Sequence, residues 1–314
     1  MLKLIVILFF AAFATACSKK DNKNTDTATF GYAKIGCDES YKPIVEAQLD
    51  IFHYLYKYAH ITPVYMPEEQ IFNELLKDSV RLVVATRKLR DDELAVFKAA
   101  KITPRYTKVA TDAVALVVNI KNLDSLITIY QLKDILTGKL KKWNNIHPQY
   151  MNADIQVVFD NNNSSNLRYL LDTFKLTSKQ IAANIFSANS HTEAIEYVKN
   201  NPNALGVIGV NWISDGDDST TKDFLKSIKI LAVSRLLSPT RPGEYFQPYQ
   251  AYVAQGWYPL SRDLLIVSRE ARVGLGTGFA AFFASERGQR IILKAGLVPA
   301  TMPVRIINVK KSNL

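Results

Sequence analysis

Cysteine is almost missing from this chain: among 314 residues only Cys17 and Cys37 occur. A disulfide-stapled scaffold is thereby excluded, and the fold has to be held together by its core. Long apolar runs are equally scarce, and beyond the first 17 residues none is long enough to cross a bilayer. Catalytic signatures are absent too, with no Gly-x-Ser-x-Gly elbow, no His-Glu-x-x-His and no Cys-x-x-Cys. Ser164, Ser165 and the four histidines (His53, His60, His147 and His191) would be raw material for a hydrolase, but no motif arranges them as one. An enzyme is therefore not expected. No residues stand at metal-ligand spacing, so neither a metal nor a cofactor is expected. Basic and aromatic residues are not interleaved as in a single-strand binder, which removes nucleic acid as a partner.

What is present is ordinary globular material. With 48% hydrophobic and 22% charged residues, the chain from about residue 30 onward can bury one large core or two ordinary ones. The formal net charge is +10, and it falls by one without Lys3. Such an excess attracts anions, small oxyanions and anionic lipid included. The cations are scattered, however, and the densest run, Lys139 to Lys142, sits in a turn. Charge by itself selects no partner.

The N-terminus says more. Lys3 precedes an apolar run from Leu4 to Phe13, and Ala14, Thr15 and Ala16 lead directly into Cys17. This is the order of a secretory signal, too short to span a bilayer comfortably. A cysteine directly after the small residues resembles a bacterial lipobox, with Ala14 where Leu or Val is commoner. That resemblance implies a signal over 1–16 and a diacylated Cys17 as the new N-terminus, which leaves Cys37 without a partner. The alternative is an ordinary cleaved signal with an incidental cysteine. Residues 17–29 are polar and charged, cannot offset their ordering entropy by burial, and are expected to form a flexible leash. The chain is thus expected outside the cytoplasm, periplasmic or at the cell surface, held to a bacterial membrane by lipid.

Short apolar runs alternate with helix-period segments. Strands are expected at Phe30–Ile35, Ile61–Tyr65, Leu82–Ala85, Val109–Val118, Ile155–Phe159, Ala204–Val210, Ile228–Val233 and Leu264–Val267. A helix from Pro43 to Tyr58 would place Ile44, Ala47, Ile51, Leu55 and Tyr58 on one stripe. Others are expected over Glu69–Lys77 and Thr128–Thr137, after the capping box Ser190–Glu193, and near Phe279–Ala284 and Glu286–Lys294. The alternation predicts an α/β architecture with mainly parallel sheets and no repeats. Val109–Val118 is unusual in its length and in carrying Thr111 and Asp112. It reads either as a strand passing from one domain to another or as a single central strand.

Seven segments then appear in a telling order. They are Val84-Ala-Thr-Arg-Lys-Leu89, Thr111 to Asn119, Tyr130 to Asn144 with its Leu-Thr-Gly end and Trp143, Asn201-Pro-Asn-Ala-Leu-Gly-Val-Ile-Gly209, Tyr258-Pro-Leu-Ser-Arg262, Ser285 to Ile291 and Gly296-Leu-Val-Pro299. Together they resemble the phosphate-binding lipoproteins of high-affinity phosphate ABC transporters, and they cover nearly the whole chain from residue 30. The resemblance implies a periplasmic-binding-protein-like fold of two α/β lobes, each a mixed, mostly parallel sheet flanked by helices. Lobe one would comprise 30–112 plus 259–314 and lobe two 113–258, with a two-strand hinge. It also implies a monomer that binds a small anion such as phosphate between the lobes and serves an ABC permease or a membrane sensor.

Four loop-to-helix approaches would supply the ligand's donors, because helix N-termini favour anions. Ser164, Ser165 and Asn166 open a helix whose stripe is Leu167, Leu170, Leu171 and Phe174, and Ser165 and Arg168 fit the family's Gly-Ser-Gly-Thr-Arg. These residues either bind the ligand or merely cap their own helix. Ser40 takes the place of a family threonine, while Asp38 and Glu39 stand where neutral hydroxyls are usual. Thr86 and Arg87 keep a hydroxyl and a cation. The family's Gly- and Ser-rich loop is replaced by Met66-Pro-Glu-Glu-Gln70, and the arginine before the Ser-Gly-Thr turn by Asn161. Whether Glu39, Glu68 and Glu69 face the cleft or cap helices stays open at this point. If they do not permit an anion, the fold would act as a protein-interaction module.

Overall fold

A computed structural model describes residues 26–214 and 219–304; Cys17 and the signal-like segment lie outside the described residues. The chain begins with β1 (Gly31–Asp38), α1 (Lys42–Leu55), β2 (Ala59–Met66), α2 (Glu68–Leu76), β3 (Leu82–Ala85), α3 (Asp91–Ala99) and β4 (Arg105–Asn119). It continues through β5 (Leu126–Thr128), α4 (Ile129–Leu136), β6 (Gln156–Phe159), α5 (Ser165–Phe174), β7 (Ile185–Ser187), α6 (His191–Asn200) and β8 (Ala204–Gly209). Then follow α7 (Ser219–Ser227), β9 (Ile228–Ile230), β10 (Ala232–Ser234), α8 (Gln250–Ala254), β11 (Ser261–Ser268), α9 (Leu275–Ala284), α10 (Glu286–Lys294) and β12 (Val298–Pro299).

The main sheet runs in the order β2-β1-β3-β11-β4-β8-β6-β7. Pairing is parallel at both flanks, within β2-β1-β3 and within β8-β6-β7. It is antiparallel around the centre, where β11 pairs with β3 and β4, and β4 with β8. The long strand β4 joins the two halves: Arg105 to Ala113 pair with β11, and Val114 to Val118 with β8. From Val109 to Val118 only Thr111 is not buried, as expected of a strand covered on both faces.

Packing explains where the elements depart from their sequence pattern. In α1 the buried stripe is Ile44, Val45, Gln48, Leu49 and Phe52, and Ile51 is 41% exposed. The stripe is therefore rotated from the one expected, because Phe52 docks edge-on against Phe279 and Phe282, with ring centroids 5.4 Å from each. The expected strand over Ile228–Val233 is two strands. Ile228–Ile230 pairs with β4, whereas Ala232–Ser234 pairs with β5. Leu231, between them, donates its N–H to the Leu116 carbonyl at 2.8 Å. Trp143 is fully buried and its Nε1 donates to the Asn203 carbonyl at 3.0 Å, which ties the segment after α4 to the start of β8. Cys37 is a buried free thiol. Each large side chain buried this way contributes about 1.5–3 kcal/mol, so a core running through both halves of the sheet holds the fold without a disulfide.

Candidate functional site

The C-terminal ends of β1, β3 and β6 bring three loops to one place between the halves of the sheet, and the loop into α2 joins them. At the start of α5, Ser164 is the N-cap, its Oγ accepting from the N–H groups of Asn166 at 3.1 Å and Leu167 at 3.3 Å. The same hydroxyl donates to Asp160. Ser164 is thus spent on its own helix. Ser165, one residue on, is buried, and its Oγ lies 3.3 Å from Ser40 Oγ, which comes from the β1–α1 loop. The Ser40 carbonyl in turn accepts from Asn211 Nδ2 at 2.7 Å and Trp212 Nε1 at 2.9 Å. Arg168 reaches across to the other half: its Nη2 donates to Thr86 Oγ1 at 2.7 Å and its Nε to Glu68 Oε2 at 2.5 Å.

Glu68 and Glu69 occupy adjacent positions at the start of α2 and face different ways. Glu68 is 2% exposed; besides Arg168 it accepts from the Thr86 N–H and the Thr86 hydroxyl, both at 2.8 Å. Glu69 points outward to a bidentate pair with Arg90 at 2.9 and 2.7 Å. Arg87 is held by Glu93 at 2.7 and 2.8 Å and lies 3.6 Å above the Phe72 ring. Only its buried Nε, which has no hydrogen-bond partner, faces Glu68, at 3.9 Å. A groove of about 330 Å³ opens here, with Glu68, Arg90, Ser164, Ser165 and Arg168 on its walls.

Behind these residues lies a buried charged cluster that the sequence reading did not assign to the site. Arg262, on β11, stands directly opposite Asp112 on β4, and its Nε donates to Asp112 Oδ2 at 3.0 Å. Its Nη2 donates to Asn166 Oδ1 at 2.8 Å, and the Tyr41 hydroxyl donates to Asp112 at 2.5 Å. Burial works against the arginine's charge, but Tyr41, Asp112, Asp38 and Glu68 together hold its pKa above the ordinary value. Asp38, fully enclosed, accepts from the Ser40 N–H at 2.9 Å. Burial first and the Glu68 carboxylate second raise its pKa to about 7. Glu39 is half-buried, and burial together with Asp160 raises its pKa. Several atoms of this cluster, including Asp38 Oδ2, Asp112 Oδ1 and Arg262 Nη1, have no hydrogen-bond partner. Two signals could have pointed here: a lone Asp112 in a long apolar strand, and Arg262 closing the Tyr-Pro-Leu-Ser-Arg segment.

The arrangement suits recognition rather than bond-breaking. Hydroxyl and guanidinium donors converge from two halves of the molecule, and two carboxylates, Asp38 and Glu68, accept. Ser164 bonds to Asp160, and His191 Nδ1 lies 3.6 Å from the same carboxylate. Among the described residues, no hydrogen bond joins either site serine to an imidazole. Burial also lowers the His191 pKa in spite of Asp160. Among the described residues there is no cluster able to hold a metal and no helix long and apolar enough to cross a membrane.

Fold and cleft define a two-lobe binding protein. The model of the PBP superfamily domain matches residues 22–287, and the chain belongs to that family. The phosphate-binding protein PstS of Staphylococcus epidermidis is 27% identical over 282 residues, covering 87% of this chain and 81% of that one. The protein of the same name from Staphylococcus saprophyticus is 26% identical over 214 residues, 67% of this chain, which spans only 61% of its length. Among solved structures, a protein from Clostridium perfringens described as a phosphate ABC transporter substrate-binding protein, with bound phosphate, superposes with a TM-score of 0.72. It is 21% identical and matched over 86% of this chain and 100% of its own. An ABC-type phosphate transport receptor from Vibrio cholerae gives 0.64 at 21% identity, over 86% of this chain and all of its own. These likenesses fix the fold. They are to binding proteins, in line with the expectation that the chain is not an enzyme.

Proposed function

We propose that this chain is an extracytoplasmic, lipid-anchored solute-binding protein that takes phosphate or a related oxyanion between its lobes for ABC-type uptake or sensing. Lobe one comprises 30–112 plus 259–314 and lobe two 113–258, and the cleft closes by a hinge at Thr111–Val114 and Ser261–Leu265. The observation that carries the reading is the convergence of Ser40 and Thr86 from one half with Ser165 and Arg168 from the other. The names of the similar proteins support phosphate as the anion. Ser164 and Asn166 shape the α5 start, and Arg87 contributes charge from behind Glu68. Isothermal titration of phosphate at pH 7, after unfolding and refolding to strip bound ligand, is expected to give micromolar or tighter binding. Arg168→Ala should weaken it at least tenfold, the worth of a charge-assisted hydrogen bond of about 1.5–3 kcal/mol; unchanged titration removes Arg168 from the site. Cys17→Ser should move the protein from the membrane fraction to the soluble fraction, and retention on the membrane would refute the lipid anchor.

One observation favours a second reading. Glu68 already accepts from Arg168 and Thr86, so the cleft is neutralised from within, as a protein-interaction module without an oxyanion would be. The absence of both heat and thermal shift with phosphate and sulfate would support that alternative.

A further inference from the structure

We infer that Glu68 is a built-in stand-in for the oxyanion: its carboxylate occupies the donors that a bound anion would use and latches the two halves of the molecule together until ligand displaces it. This rests on the oxyanion reading of the cleft. The donor set is the first ground. One carboxylate oxygen receives the Thr86 N–H and the Thr86 hydroxyl at 2.8 Å each, and the other receives Arg168 Nε at 2.5 Å, with Arg87 Nε a further 1.4 Å out at 3.9 Å. Backbone N–H, hydroxyl and guanidinium are the donors that suit a tetrahedral oxyanion, and here two oxygens of the protein itself fill them.

The second ground is position. Glu68 and Thr86 stand on β1–β3 side elements, whereas Arg168 stands on α5, and the three are held together over sequence separations of 100 and 82 residues. Glu68 is enclosed, and Arg168 keeps 23% of its side chain in contact with solvent at the edge of the groove. An anion entering the groove therefore meets Arg168 from the open side, where the exposed Asp172 accepts from its Nη1 at 2.7 Å, with Glu68 as the enclosed competitor behind. The neighbouring glutamate makes the contrast, since Glu69 turns to Arg90, with Arg87 Nη2 3.5 Å away, and takes no donor of Thr86 or Arg168. Glu68 thus sets the affinity of the cleft. Ligand must exceed an intramolecular carboxylate, so the receptor responds to anion at higher concentration than its donors alone would dictate.

The test compares wild type, Glu68→Gln and Glu68→Ala, each as the full chain in detergent, by titration with inorganic phosphate and by hydrogen exchange of the ligand-free protein. Both variants are expected to bind phosphate at least tenfold more tightly than wild type. In ligand-free Glu68→Ala the amides of Thr86 and of Ser165 to Arg168 should exchange at least tenfold faster, and phosphate should restore their protection. The isosteric Gln variant carries the test if the Ala variant does not fold. If wild type binds phosphate and the folded variants bind no more tightly, the stand-in role is overturned while the oxyanion reading survives. If none of the three proteins binds phosphate, both are overturned.

Discussion

Helices α2 and α5 meet the cleft with their N-termini and use the same electrostatic field in opposite ways. At α5 the first residues are serines and an asparagine: Ser164 caps the helix, and Ser165 and Arg168 are left to face the other half. At α2 there is no side-chain cap, and the first turn carries two carboxylates, one of which is turned inward and buried. A helix N-terminus favours an anion whether that anion arrives from solution or is part of the chain. The α5 start presents donors to the other half; the α2 start brings the carboxylate that takes one of them, Arg168 Nε. A likeness of fold therefore does not guarantee a likeness of occupancy, because one residue in a first turn decides whether the donors are free.

The contrast can be broken most severely at the α5 side. Arg262→Leu removes the guanidinium that fixes Asn166 and leaves Asp112 buried without its charge partner, a loss of about 3–5 kcal/mol. Urea unfolding should read that loss, and a midpoint within error of wild type would mean the pair is dispensable. Asp38 sharpens the acidic side. Its folded pKa of about 7 lies above that of the unfolded chain, so the native state holds a proton that the unfolded state has released. Stability from this group is complete below about pH 4 and declines as pH rises toward 7, by up to about 1.4 kcal/mol per pH unit. Asp38→Asn should flatten that decline, and a pH–stability curve still falling in the variant would assign it elsewhere. Ser164→Ala has the smallest effect, about 1 kcal/mol from the lost cap. It should weaken phosphate binding less than Ser165→Ala does, and the reverse order in titration would exchange their roles.

Much of the frame was legible in the residues, and the reasons are local. Leu82–Ala85 was recognisable because four buried apolar residues stand between turn signals, and the long β4 because its apolar run outlasts the others. The capping serine of α6 and the glycine after α4 marked helix limits through chemistry confined to a few neighbours. The sequence could not reveal that Ile228–Val233 serves two sheets, since a change of partner leaves no trace in an apolar run. Helix α3 was hidden behind Asp91, Asp92 and Glu93, with only Glu93 and Phe97 fully buried. In the cleft, the resemblance pointed to four loop-to-helix approaches, but it could not tell the opposite orientations of Glu68 and Glu69. Adjacent residues of a helix point about 100° apart, and which one faces inward depends on how the helix docks. The Arg262–Asp112 pair joins residues 150 positions apart, beyond the reach of any local pattern.

Strand β11 also fixes a timetable. It lies between β3 and β4 in the sheet, yet it is synthesised only after the whole of β5 to α8 has been made. Until then β3 and the first part of β4 have an open edge each, Asp112 lacks its arginine, and Ile266 and Val267 are missing from the core. The first half to leave the ribosome is the last to be completed. The N-terminal portion therefore cannot lock into a finished domain before the C-terminal portion is made.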